Sequence, residues 1–314
     1  MKQMSLAQGG FEKYGKTTRR AAFLAEMERV VPWPELCALI EPHYPNSGRG
    51  RPPVGLERML RLHFLQHWFN LSDPALEDEL HESASMREFV GIDLGVERVP
   101  DETTVCKFRQ LLERHGLGER IFAVVGQHLQ ARGMRLSGGT IVDATLISAP
   151  TSTKNERRER DPQMGTTKKG GQWLYGMKAH IGVDEHTKLI HHVVATPGNV
   201  SDAMMLRALL HGRERRVYGD KAYFGLGRVI KETAPRAKDL TQLRASVGHP
   251  LSDLDEIVNR IRSKTRAKVE QAFLVIKRIF GFDKTRYRGL AKNANRLFTA
   301  AALASLYMVR RRLA

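Results

Sequence analysis

The chain has 314 residues, of which 51 are Lys or Arg and 34 are Asp or Glu, so its formal net charge at pH 7 is +17. Hydrophobic residues make up 41% of the chain and charged residues 27%, which is typical of globular proteins and excludes wholesale disorder. This length predicts two domains, and so large a positive charge favours a polyanionic partner, nucleic acid above all, over an anionic membrane surface.

Residues 54–132 are predicted to be almost entirely helical. In VGLERMLRLHFLQHWF the apolar residues recur mostly at steps of three and four, which places them on one buried stripe of a helix. Residues typical of helix ends predict short helices with sharp turns. They are Asp73 before a proline, a capping box of Ser85 and Glu88, a stop at Gly91 and a further start at Asp101. Such an array is typical of a helical DNA-binding module.

We therefore predict that residues 1–135 form a helical N-terminal DNA-binding domain and residues 136–314 a second domain. Basic residues of the helical region are candidates for recognition of a DNA sequence: Arg58, Arg61, Lys107 and Arg109.

After Gly138 and Gly139 the pattern changes from helices to strands. TIVDATLI, WLYGMKAHIGVD and LIHHVVAT are β-branched or aromatic runs bounded by turn residues, which predicts three consecutive antiparallel strands. Next come a helix over 201–210, a strand at RRVYGD, a helix over 226–233, a short strand at KDLTQL and a long helix over 253–280. This order predicts an α/β domain with a mixed sheet and helices on its faces.

The segment 151–171, TSTKNERRERDPQMGTTKKGG, interrupts this domain with many charges and few apolar residues. We interpret it as a mobile basic loop. It is either a solvated insertion or a loop that contacts DNA.

The longest apolar stretch, residues 297–309, is shorter than the roughly 20 residues that span a bilayer, so we interpret it as a packed C-terminal helix. Cys37 and Cys106 lack the spacing of a zinc module and are too few for a disulfide framework. We expect a cytoplasmic protein with no membrane association.

Three acidic residues are candidates for chemistry, and each also has a simpler explanation. Asp143 lies within a predicted central strand, where a carboxylate must either bond the backbone at a strand end or face a metal ion. Asp220 ends a predicted strand, and such a residue taken alone is more often a helix N-cap than a catalytic residue. Glu270 follows Arg266 by four residues, so an ion pair on the helix surface explains both.

The three carboxylates together indicate a metal site. On a regular helix Arg266 and Lys277 lie within about 40° of Glu270, and an adjacent apolar stripe would dock that helix on the sheet. Oxygen ligands from two strands and a helix, 77 and 50 positions apart, are suited to divalent-metal phosphoryl transfer.

Two weaker signals lie on the second predicted strand. Lys178 and His180 are two residues apart and therefore share a face, so a role beside the metal site is as plausible as an ordinary structural one. Trp173 could stack on an extruded base, although a tryptophan in the core or at a strand edge is commoner.

Segments that span most of residues 50–282 carry a family resemblance: GRPPVGLERMLRLHFLQHWFNLSDPALEDELHESASMREFVGID, VPDETTVCKFRQLLE, DATLISAPTSTKNERRERDPQMGTTKKGGQWLYGMKAHIGVD, TPGNVSDAMML, YGDKAYFG and RAKVEQAFLVIKRIFGF. They resemble the DDE transposases of bacterial insertion sequences, in the branch called the insertion sequence five group.

The resemblance implies a ribonuclease H-like catalytic domain, in agreement with the strand order predicted above. It implies that Asp143, Asp220 and Glu270 are the catalytic, metal-binding residues. Arg266 and Lys277 belong to the signature around Glu270 and would position phosphates, and Lys178 is a further candidate for DNA binding. One departure is Ser263, which stands where related groups have the Tyr that opens this signature.

The implied activity is DNA cleavage at the insertion-sequence ends and strand transfer into target DNA with two Mg²⁺ ions, or Mn²⁺ as a substitute. The partners would be the terminal inverted repeats and target DNA, bound by a homodimer or higher oligomer associated with the bacterial nucleoid. Two alternatives are a catalytically silent DNA-binding regulator of transposition and a structure-selective nuclease without strand transfer.

Overall fold

The computed structural model describes residues 16–46, 52–134, 136–246 and 250–313. The chain forms two compact units: one ends at Leu111 and also takes in the end of the chain from Arg310, and the other runs from Leu112 to Val309. This division does not coincide with the domain boundary predicted at residue 135, and Arg135 itself lies outside the described residues. Where a DNA-binding domain gives way to a catalytic one remains a prediction.

The first unit is helical, as predicted. Its helices are α1 (Arg19–Val30), α2 (Trp33–Ile40), α3 (Leu56–Trp68), α4 (Asp73–Glu82), α5 (Ala84–Val90) and α6 (Glu102–Arg114), the last of which continues past Leu111. Gly50 and Arg51, the first residues of the segments that carry the family resemblance, lie outside the described residues.

Helix α4 begins one residue earlier than predicted. Its N-cap is Ser72, whose hydroxyl accepts a hydrogen bond from the amide of Ala75 at 3.2 Å. The predicted cap, Asp73, instead accepts hydrogen bonds from the side chains of Gln66 and Arg109. The Asp73 carboxylate therefore makes contacts with more distant residues and not the capping bond that the local sequence predicts.

Helix α5 is capped by Ser83 rather than by the predicted Ser85. The Ser83 hydroxyl accepts from the amide of Met86 at 3.4 Å and contacts the Ser85 hydroxyl at 3.2 Å. The predicted stop is confirmed, because Gly91 closes the helix with a φ of 75°. Only glycine adopts this left-handed conformation at little cost.

The second unit contains a mixed sheet of six strands: β1 (Gly139–Ser148), β2 (Gly165–Lys169), β3 (Gln172–Asp184), β4 (Ile190–Pro197), β5 (Arg216–Tyr218) and β6 (Lys238–Asp239). Strands β3, β1, β5 and β6 follow one another across the sheet, while β2 and β4 pair with successive parts of β3. Strand β3 is antiparallel to its partners, whereas β5 runs parallel to β1 and β6. The predicted antiparallel trio and the mixed sheet are confirmed.

Strand β2 corrects the prediction of a mobile loop over residues 151–171. Residues Gly165–Lys169 pair with β3, and the connecting Gly170 and Gly171 have φ values of 57° and 82°. Two glycines with positive φ form the tight turn of a hairpin. The segment therefore forms a strand pair even though it carries many charges.

Helices cover the two faces of the sheet. A buried cluster that includes Val142 joins one face to the 3₁₀ helix Asp202–Leu209 and to α8 (Gly227–Thr233). The predicted helix over 253–280 consists of α9 (Asp253–Arg266), a 3₁₀ turn, α10 (Glu270–Leu274) and a π-helical turn, Val275–Ile279.

Two long helices follow, α7 (Leu117–Ala131) and α11 (Leu290–Leu313). They belong to the second unit, except that α11 continues past Val309 into the first. They pack together through the rings of Phe122 and Phe298 and through a hydrogen bond from the Gly118 amide to the Asn295 side chain. Among the described helices, α11 included, none is long and apolar enough to cross a membrane.

We expect the cap of α5 to be measurable by substitution. Ser83→Ala should lower the free energy of unfolding by about 1 kcal/mol, because the Met86 amide loses its acceptor. Ser85→Ala, the matched control at the second residue of the helix, should cost less than about half of that. Urea denaturation of both variants tests the assignment, and the reverse order would restore the cap predicted from sequence.

Candidate active site

The pairing of two parallel strands positions the first two carboxylates. Strand β5 pairs with β1 over three residues and ends at the pair of Ile141 and Tyr218. Extending this register by two residues places Asp220 beside Asp143, where the strands have already parted. The carboxyl end of a pair of parallel strands is thus an acidic cleft.

Asp143 lies in a partly desolvated environment on the side of the sheet that faces α9. One of its oxygens accepts from the Ala144 amide and the other from the Arg266 guanidinium, each at 2.8 Å. Burial raises the pKa of Asp143 to about 6, and the charges of Asp220 and Asp202 push it the same way against Arg266 and the amide. The carboxylate group is therefore short of positive charge even with its arginine partner.

Asp220 fits both of its predicted roles. Its Oδ1 accepts from the Ala222 amide at 2.9 Å, so it caps the short 3₁₀ helix Lys221–Tyr223. The cap fixes the carboxylate at the end of β5, close enough to Asp143 to influence its pKa. The capping bond therefore orients the Asp220 carboxylate and is compatible with its predicted role as a metal ligand.

Glu270 begins α10, and its side chain is 66% exposed. Arg266 links it to the other acids: one guanidinium nitrogen bonds Asp143, and the other lies 3.7 Å from Glu270. The predicted surface ion pair of Arg266 and Glu270 is present, with Asp143 as a third member. Arg266 thus lies between a strand carboxylate and the helix carboxylate.

The three acids fit a metal ion only in part. Over the described parts of the chain, no three His, Cys, Asp or Glu side chains converge closely enough to hold one. The chemistry of the donors nevertheless suits a divalent cation, because Asp143 is buried among like charges and carboxylate oxygens are the ligands that Mg²⁺ prefers. The strand pair fits such an ion, and Glu270 would have to turn away from Arg266 to join it.

Lys277 lies in the π-helical turn and reaches back to β1. Its ammonium group donates to the Thr145 hydroxyl at 3.2 Å and to the Leu146 carbonyl at 3.0 Å. Thr145 is two residues from Asp143 and shares its face of the strand. The structure therefore places Lys277 beside the acidic cleft, held by β1 itself.

Lys178 and His180 share a face, as predicted, but it is the opposite face from that of Asp143. Both contact Asp202, Lys178 at 2.9 Å and His180 at 3.7 Å. Burial lowers the pKa of His180 to about 4. Lys178 therefore has an internal partner, and His180 is neutral at physiological pH.

Asp202 and Tyr223 are residues that sequence reasoning missed. Tyr223 is fully buried, and its hydroxyl has no hydrogen-bond partner among the described residues. Burial, followed by the charges of Asp202, Asp143 and Asp220, raises the pKa of Tyr223. Both residues stand in segments of the family resemblance, but no period or spacing singles them out, because their proximity depends on how those segments return to the sheet.

Ser263, the departure from the family signature noted above, contacts Gln242. The Ser263 hydroxyl donates to the Asn259 carbonyl at 2.8 Å and accepts from the Gln242 amide. This polar contact ties α9 to the segment that follows β6.

Three of the four basic residues proposed to read DNA are engaged inside the first unit. Arg58 pairs with Glu97, and Arg109 pairs with Asp73. Arg61 contacts two carboxylates and lies over the rings of Trp33 and Phe89. Lys107 is exposed on α6.

Comparison with known proteins adds two family matches. The model described as "Transposase DDE domain" matches residues 134–306, and the one described as "Transposase domain (DUF772)" matches residues 12–111. No solved structure matches the chain.

The raised pKa of Asp143 predicts that replacing its carboxylate by a neutral group increases the free energy of unfolding, and that this increase depends on pH. The folded protein binds this proton more tightly than the unfolded chain, so its ionisation destabilises the fold as pH rises from about 4 through 6. Asp143→Asn should therefore stabilise the metal-free protein at pH 7.5 by up to about 3 kcal/mol, and by about a third of that at pH 4.5.

Urea denaturation at the two pH values, in the presence of a chelator, measures this difference. Glu270→Gln is the control, because the exposed Glu270 should show little effect at either pH. A gain for Asp143→Asn that is the same at both pH values would show that shape rather than charge is responsible.

Proposed function

This chain belongs to the DDE transposase family, and from that membership we propose that it cleaves DNA at the ends of an insertion sequence and transfers the freed ends to target DNA. The observation that carries the proposal is the register of β1 and β5, which brings Asp220 beside the desolvated Asp143. We assign the chain to the insertion sequence five group on the segments quoted above.

We propose that Asp143, Asp220 and Glu270 hold two Mg²⁺ ions, for which Mn²⁺ can substitute. When bound, such ions lower the pKa of an attacking water and stabilise the leaving 3′-oxygen. The protein supplies the cleft, because Asp143 is fixed by its strand and Asp220 by its cap. Glu270 sits on a helix that docks by the buried Val269 and Ala272 on either side of it.

Arg266 and Lys277 are suited to positioning phosphates at this cleft. The Arg266 guanidinium already lies between two of the carboxylates, and the Lys277 ammonium lies next to them along β1. A guanidinium binds phosphate in a planar, bidentate manner, and an ammonium acts as a point charge. The two side chains would thus hold adjacent phosphates of one strand.

The catalytic domain is proposed to be ribonuclease H-like. Its support is the arrangement of three antiparallel strands, β1, β3 and β4, extended by β5 and β6 parallel to β1. The helical unit is proposed to recognise the terminal inverted repeats, with Lys107 its exposed candidate. We propose a homodimer or higher oligomer on DNA, associated with the nucleoid in the cytoplasm. Lys178 stays a proposed DNA-binding residue, and this role requires its ammonium to leave Asp202.

Replacement of the three carboxylates tests the proposal. Asp143→Asn, Asp220→Asn and Glu270→Gln should each abolish cleavage of labelled element ends in Mg²⁺ and change the affinity for those ends by less than about threefold, because the acids serve the chemical step. Asp253→Asn, an exposed acid at the start of α9, is the control and should cleave normally.

The products separate the candidate functions. Joined products with target DNA support the transposase, whereas cleavage without joining would indicate a structure-selective nuclease. Binding without cleavage by the wild-type protein would instead support the catalytically silent regulator. Wild-type rates in any one carboxylate variant would remove that residue from the site.

Lys277 is expected to act by its charge. Lys277→Ala should reduce cleavage about tenfold with an unchanged Mg²⁺ requirement, and Lys277→Arg should recover part of the activity. Lys264→Ala, an exposed lysine of α9, is the control. Mg²⁺ titrations of cleavage decide the matter: a raised metal requirement in Lys277→Ala would show that this lysine organises β1 around Asp143 instead.

A further inference from the structure

The tip of the β2–β3 hairpin extends beyond the rest of the sheet. Strand β1 pairs with β3 as far as Gly176, whereas β2 continues the pairing from Gly176 to Gln172. Ala149, just after β1, still donates to the Tyr175 carbonyl, so the last three residue pairs of the hairpin form a two-stranded ribbon. Such a ribbon fits a groove of duplex DNA.

The side chains at this tip are suited to DNA. Trp173 is 70% exposed, unlike the other two tryptophans of the chain, Trp33 and Trp68, which are buried. Lys168 stands opposite Trp173 in the ribbon, and its ammonium lies 5.8 Å from the centre of the indole ring. Lys169 follows at the turn, and residues 165–175 include no acidic residue.

The ribbon points away from the acidic cleft along β3. Trp173 is eight residues from Ile181, the partner of Asp143, so an even number of steps places it on the same face of the sheet. The distance along the strand is about 27 Å, which is the length of about eight base pairs. One duplex lying along β3 could therefore reach both the cleft and the tip.

Lys277 connects the two ends of this path. Its ammonium is anchored at Thr145 and Leu146, between Asp143 and the end of β1. Burial lowers the pKa of Lys277, the charge of Asp283 opposes this shift, and the charges of Lys169 and Arg278 add to it. Lys169 of the hairpin is therefore close enough to Lys277 for their charges to interact.

We propose that the β2–β3 hairpin is a DNA-binding arm in which Lys168 and Lys169 pair with phosphates and Trp173 stacks on an unpaired base. The proposal rests on DNA being the partner, as proposed above. One face of the indole is covered by Lys168 and the other is open, so the ring can take a single base. Paired bases present only their edges, so stacking requires a base that has left the duplex.

The test uses the full chain and two fluorescent 30-bp duplexes of the same arbitrary sequence, one fully paired and one with four mismatched pairs at its centre. Trp173→Ala should weaken binding to the mismatched duplex at least fivefold and to the paired duplex less than twofold, and Trp173→Phe should restore part of the loss. Tryptophan fluorescence should be quenched on binding to the mismatched duplex in the wild type and not in Trp173→Phe.

The lysines are tested by the salt dependence of binding. The double variant Lys168→Ala, Lys169→Ala should reduce the slope of log affinity against log salt by about two, one for each lost phosphate contact. Lys231→Ala, an exposed lysine of α8, should leave the slope within half a unit of the wild type. Thermal melting of each variant checks that the fold is unchanged.

The outcomes distinguish the hairpin from the proposed function. If the wild type binds both duplexes with a steep salt dependence and the hairpin variants bind equally well, the hairpin is not a DNA arm and the transposase proposal stands. If the wild type binds neither duplex, DNA is not the partner and both proposals fail. Equal losses for Trp173→Ala on both duplexes would overturn stacking on an unpaired base.

Discussion

The candidate site depends on one short parallel pairing, that of β5 with β1. Three residue pairs align the strands, and their separation beyond Ile141 leaves Asp143 and Asp220 side by side with no backbone ladder between them. Desolvation and mutual repulsion then hold the Asp143 pKa near 6, so the fold keeps an acid that is costly unless a cation is present. Arg266 partly supplies the positive charge that Asp143 needs. It can do so because it is the last residue of α9, which ends beside Asp143.

Much of this arrangement could be predicted from the chain itself. The alternation in TIVDATLI predicted the central strand, and the residues of RRVYGD predicted the neighbour that delivers Asp220. The helical face shared by Arg266 and Glu270 also held, because only four residues of nearly regular helix separate them. Patterns with a short range and a fixed period were reliable wherever neighbouring side chains did not compete with them.

The remainder depended on contacts between distant segments. Asp73 pairs with Arg109 and does not cap its helix. Arg61 pairs with Glu28 and Glu57 and lies over two aromatic rings, so it does not extend from the surface as predicted. The position of Lys277 could not be predicted from the period of a regular α-helix. The π-helical turn changes its angular position relative to Glu270, and its ammonium group bonds β1. Asp202 and Tyr223 carry no periodic signal, so only the assembled sheet shows that they lie close enough to Asp143 for electrostatic interaction.

The position of Lys277 also bears on self-association. Strand β5 leaves β1 after Ile141, and the chain returns to that strand at the bridge of Ser148 with Lys284. An open strand edge is a template on which another molecule can add a strand, and a lysine directed at such an edge discourages that addition. By bonding the Leu146 carbonyl, Lys277 occupies one acceptor of this edge, so that carbonyl is not free to pair with a strand of another molecule.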